Sequence, residues 1–148
     1  MERKFRFLAA QARLTHQQFL QALVRSNTKF DLVQFDEMET FERSKCLPVS
    51  IPLIVEPKTR KILAISACSM PAKGLLAAVS VRRYGPRRDE RPECAQKIFK
   101  QVDPVLAPAA CIFTDQNPKY PAWIIHIPTL WSVLQPRVDA NVLLDKAN

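Results

Sequence analysis

Apolar residues in the first part of the chain recur at helical spacing: Phe7, Leu8, Leu14, Phe19, Leu20, Leu23 and Val24 fall on a period near 3.6 across residues 3–26. Thr15 and Gln18 form a capping-box pattern, which predicts a second helix starting near His16 and a joint near Leu14. Such a pair is either a packing hairpin or the end of a helix-turn-helix, and the second helix has no basic recognition face, which favours packing. From Phe30 the period changes to two, predicting strands over 31–38, 47–56 and 61–68. The segment EPKTRK, with Pro57, turns the second strand into the third as a hairpin, and Pro48 and Pro52 place the second strand at a sheet edge.

Beyond the third strand lies a basic connection containing MPAKG and VRRYGPRRDERPE. A helix over 93–103, a short apolar strand over 111–113 and the turn TDQNPKYP follow. Three strands, a crossover helix and a further strand spell an α/β domain with a mixed sheet. After Pro121 the pattern degrades: WIIHIP reads as one more short strand, and Pro136 interrupts the remaining helical candidate, so no final helix is expected.

The stretch VQFDEMETFER, residues 33–43, puts Asp36, Glu37, Glu39 and Glu42 inside the first strand and its end. Strand alternation sets Leu32, Gln34, Asp36 and Met38 on one face and Val33, Phe35, Glu37 and Glu39 on the other. The three glutamates read as a solvated face paired with Arg and Lys. Asp36 on a half-apolar face needs a partner, and Asp115, which ends the apolar run CIFTD, is the candidate because ligands gather at the carboxyl ends of strands in open α/β sheets. Two carboxylates about 4 Å apart repel by on the order of 4 kcal/mol at an effective dielectric near 20. A shared proton or a divalent cation relieves that repulsion, and hard oxygen ligands favour Mg2+ or Mn2+.

Charge adds a partner. The 148 residues suit one domain, and the net charge of +8 with a pI near 9.6 points to a polyanion, most economically nucleic acid. Lys73, Arg82, Arg83, Arg87, Arg88 and Arg91, with Tyr84 interleaved, form the candidate phosphate-gripping segment, partly balanced by Asp89, Glu90 and Glu93. Cys46, Cys68, Cys94 and Cys111 are widely spaced without a C-x-x-C pair, and His16 and His126 are the only histidines, so buried free thiols are expected rather than zinc. No apolar run reaches signal-peptide or membrane-span length, which predicts a cytoplasmic protein without membrane association.

In order along the chain, FDEMETFE, KCLPVSIPLIVEPKTRKIL, MPAKGLLA, RRYGPRRDERPE and TDQNPKYP resemble a family of bacterial insertion-sequence transposases of the DDE type. The likeness runs from about Arg6 to Pro121. It implies a ribonuclease-H-like α/β core, three antiparallel strands followed by parallel ones, with a two-ion Mg2+ or Mn2+ site and transposon-end DNA as substrate. Asp36 matches the first metal-binding aspartate and Asp115 the second. The third ligand should lie on a helix after the fifth strand, and Asp139 and Asp145, the acids downstream of Asp115, sit in no sequence resembling that helix.

Residues 1–28 correspond to the helical tail of a DNA-binding region, 29–128 to an incomplete transposase core with its final helix missing, and 129–148 to a divergent tail. The resemblance implies either a truncated transposase that cleaves and transfers DNA strands, or an inactive remnant that binds DNA or inhibits a full-length transposase. A homo-oligomer is a further implied assembly.

Overall fold

The computed structural model describes residues 2–115 and 117–124. Its elements run α1 (Glu2–Arg25), β1 (Phe30–Phe41), β2 (Pro48–Glu56), β3 (Lys61–Ile65), β4 (Cys68–Ser69), α2 (Leu76–Tyr84), α3 (Arg91–Val102), a 3-10 turn at Asp103–Val105, β5 (Leu106–Thr114) and α4 (Tyr120–Ile124). The expected regions 125–128 and 129–148, with His126, Trp131, Pro136, Asp139 and Asp145, lie outside the described residues.

The N-terminal helix is one rod, not two. No Gly or Pro interrupts residues 2–25, and the run is rich in Ala, Leu, Gln and Arg, all strong helix formers, so the local cap signal at Thr15 is overridden. It stops at Asn27, whose φ of 50° is left-handed; Asn27 N–H donates to the Val24 carbonyl and Thr28 N–H to the Leu23 carbonyl, a Schellman ending. Phe19, Leu20 and Leu23 seat its C-terminal half on the body. Phe5, Phe7 and Leu8, in the other half, stay exposed.

The sheet is mixed, with strand order β3-β2-β1-β5 and β4 paired to β2. β1 runs antiparallel to β2, with Phe35 opposite Ile54, and parallel to β5, with Val33 opposite Ile112. A parallel neighbour requires a crossover. Here α2, α3 and the 3-10 turn supply it. α2 occupies the segment expected to be only a basic connection, and β5 begins at Leu106 rather than 111.

Contrary to the edge position expected from its prolines, β2 is interior. The Pro48 and Pro52 carbonyls accept from Met70 and Ser66, so both residues face β3 and β4 rather than β1. Pro52 falls where β3 has ended and β4 has not begun, so its missing N–H costs no ladder bond.

α3 and α4 cover one face of the sheet. Phe35 is fully buried against Phe99 and Tyr120, with ring centroids 5.2 and 4.8 Å away, and Val33, Ile54, Leu63 and Ile112 complete this layer. Burying each such side chain contributes about 1.5–3 kcal/mol. Trp123 and Ile124, expected in a strand, are helical and buried in the same core. The other face carries Leu32, Gln34, Asp36 and Met38 on β1, flanked by Leu53 and Val55; Met38, Ile62 and Ile65 are about half exposed. Among the described residues no helix is long and apolar enough to cross a membrane.

Candidate functional site

The second half of β1 gathers the charge. Asp36 projects from the face opposite Phe35 and is exposed, with its Oδ1 accepting the Glu37 N–H at 2.7 Å. Its position is therefore hydrated rather than half-buried as the sequence suggested. Phe35 and Thr114 are the last matched pair between β1 and β5, so Asp36 and Asp115 are the next residues on two adjoining parallel strands. Neighbouring strands lie about 4.8 Å apart.

Asp115 is exposed and opens a loop built from two consecutive side-chain turns: its Oδ1 accepts the Asn117 N–H at 3.3 Å, and Asn117 Oδ1 accepts the Lys119 N–H at 3.1 Å. That loop feeds Tyr120 into the core. Burial, then the charges of Glu37 and Asp115, push the Tyr120 hydroxyl above its ordinary value, so it stays protonated beside these carboxylates. Tyr120 thus ties the Glu37 stretch of β1 to the loop carrying Asp115, a link with no signature in the residue pattern.

The two aspartates fit part of a hard-cation site. Each offers a carboxylate where the β1–β5 ladder stops, open to water, which suits Mg2+ or Mn2+. Among the described residues, however, no group of three or more His, Cys, Asp or Glu side chains is placed to hold a metal ion. Water or substrate phosphate would have to complete the octahedral shell.

The glutamates of β1 have other partners. Glu37 accepts from Ser50 Oγ at 2.6 Å, Glu39 pairs with Lys73, and Glu42 lies 3.6 Å from Arg87. Arg88 pairs with Glu93. Glu39 and Glu42 thus form the exposed, cation-paired face expected of the glutamates, whereas Glu37 is partly buried and bonds to a buried serine; Lys73, Arg87 and Arg88, expected to grip phosphate, are engaged by carboxylates.

Arg91 departs furthest from that expectation. It is 6% exposed, its guanidinium reaches Asp89 Oδ2 at 2.6 Å and Oδ1 at 2.7 Å, and it stacks over the Trp123 ring at 5.5 Å. The hydrogen bonds from Arg91 hold Asp89 below the ordinary carboxylate value, and the same bonds push Arg91 up. A buried, bidentate, stacked guanidinium is an internal clamp between the start of α3 and α4, not a phosphate contact. Arg82 and Arg83 differ: both are exposed in the last turn of α2 and have no acidic partner within ion-pair distance among the described residues.

Searches of protein-family models, of characterised proteins and of solved structures find no match to this chain.

Proposed function

We propose that the chain is the core portion of an insertion-sequence transposase of the DDE type, with a ribonuclease-H-like fold, acting on transposon-end DNA by metal-dependent strand cleavage and transfer. The observation that carries this reading is the placement of Asp36 and Asp115 one step past the last rung between the adjoining parallel strands β1 and β5, in a mixed sheet of order β3-β2-β1-β5. Connectivity supports it as well, since three antiparallel strands precede the crossover helix and the parallel strand. Asp36 and Asp115 would hold a Mg2+ or Mn2+ ion, which when bound supplies Lewis-acid activation of the attacking oxygen and of the scissile phosphate. Tyr120 fixes the loop behind Asp115, and Arg82 and Arg83 offer phosphate contacts.

The test is nicking and joining of DNA carrying the ends of the encoding element, with the full chain and Mg2+ or Mn2+. Activity that Asp36→Ala and Asp115→Ala each abolish supports the reading; product formation unchanged in both variants sinks it.

A second reading is favoured by the two-carboxylate donor set. In it the chain binds DNA or a full-length transposase without cleaving. DNA binding that weakens with salt yet survives both aspartate substitutions, with no nicking, selects this reading.

A further inference from the structure

Two of the four thiols meet behind the acidic strand. Cys68, in β4, pairs in register with Ser50 of β2, which in turn pairs with Glu39 of β1, so Cys68 lies on the sheet face that α3 covers. Cys94 sits in the first turns of α3, above that face. They are 8% and 7% exposed and line the same cavity of about 260 Å³, together with Arg88, Glu90, Glu93 and Lys97. The Cys94 thiol lies near enough to act on the Cys68 thiol. Burial first, then the neighbouring Cys94, push the Cys68 thiol up to about 12, with Glu37 and Glu90 adding to the effect.

The remaining two thiols are placed elsewhere. Cys46 is buried in the β1–β2 connection, where its carbonyl accepts from Ser80 of α2. Cys111 pairs with Leu32 and so faces the other side of the sheet. Proximity, a shared cavity and isolation from other thiols distinguish the Cys68–Cys94 pair from ordinary core cysteines.

We propose that Cys68 and Cys94 form a redox couple that closes a disulfide between β4 and α3 when a small peroxide enters their cavity. The chemistry runs in two displacements. The Cys94 sulfur attacks a peroxide oxygen, the O–O bond breaks, and Cys94 becomes a sulfenic acid while the first water leaves with the thiol proton. The Cys68 sulfur then displaces the hydroxyl; its own proton leaves with that group as the second water, and the S–S bond forms. Two thiols are oxidised by two electrons and one peroxide is reduced to two waters. Because its proton is tightly held, Cys68 is the resolving partner rather than the attacking one. A dithiol reductant reverses the closure. The product joins a two-residue strand to the helix that carries Arg91, the element that packs over the Glu37 end of β1.

The inference is independent of the nuclease reading, and its test needs no catalytic activity. The full-length folded chain is treated with hydrogen peroxide, quenched with an alkylating reagent and mapped by peptide mass spectrometry. The expected result is a Cys68–Cys94 linked peptide, with loss of two hydrogens, that disappears on reduction, while Cys46 and Cys111 remain alkylated thiols. In Cys68→Ser, Cys94 should stop at sulfenic acid or proceed to sulfinic acid. Sulfinic acid on Cys94 of the unaltered chain, a bridge to Cys46 or Cys111, or two intact thiols at positions 68 and 94 would each overturn the proposal.

Discussion

Phe35 and Thr114 stand opposite one another on parallel strands, and the residue that follows each is an aspartate exposed to water. The pair thus separates two jobs. Phe35 holds the strand in the core, while the residues one step on are free to bind.

Because Asp36 and Asp115 are exposed and hydrogen-bond only to nearby backbone, replacing either by Ala should change unfolding free energy by no more than about 0.5 kcal/mol. Chemical denaturation checks this. The same variants should weaken Mn2+ binding measured by calorimetry, and a loss of fold in either would show that its carboxylate has a structural role.

Arg82→Gln combined with Arg83→Gln should make the salt dependence of DNA binding shallower by about 2 in the log–log slope, one phosphate contact per arginine. Fluorescence anisotropy over a range of salt concentrations measures it. Arg91→Gln should leave that slope alone and instead destabilise the fold by about 1–2 kcal/mol, since it removes a buried guanidinium that bonds to a partly exposed Asp89 and stacks on Trp123. The opposite pattern would place Arg91 on the DNA surface.

Phe35→Ala should cost about 3–5 kcal/mol, because the side chain is fully buried between Phe99 and Tyr120. Phe5→Ala, on the exposed half of α1, should lie within about 0.5 kcal/mol of the parent chain. Urea unfolding of both distinguishes the core from the free helix.

Acid should weaken the fold through two carboxylates. Asp89 is held low by Arg91; at Glu56 burial works upward, but hydrogen bonds from Thr59 and Lys58 outweigh it and hold the group low. A carboxyl that is lower in the folded than in the unfolded chain contributes stability above its unfolded value and loses it as pH falls through the folded one. Denaturation midpoints should therefore decline from about pH 4 downward, and Asp89→Asn should flatten that decline while lowering stability at neutral pH.

Strand period and the position of α3 were legible because local spacing sets both. The adjacency of residues 36 and 115 follows from no rule of connectivity: the crossover helices join β4 to β5, yet β5 pairs with β1, on the far side of β2. What escaped was nonlocal. Thr15 and Gln18 carry a helix-start pattern, yet the packing of Phe19 and Leu23 and the lack of a breaker make α1 continuous. Six cations within twenty residues look alike in sequence; only folding shows that Lys73 and Arg87 turn toward β1, Arg88 pairs along its own segment, Arg91 goes inside, and Arg82 and Arg83 point out. α2 was hidden because its alanines and valines lay within a stretch read for its charge.

The prolines of β2 also let a neighbouring strand break without leaving its place. Between β3 and β4 the backbone passes β2 at Pro52, whose oxygen accepts from Ser66 and which has no hydrogen to offer in return. The rung there is single-sided, so the chain is released from the ladder at residues 66–67 and resumes it as β4 on the same flank of β2.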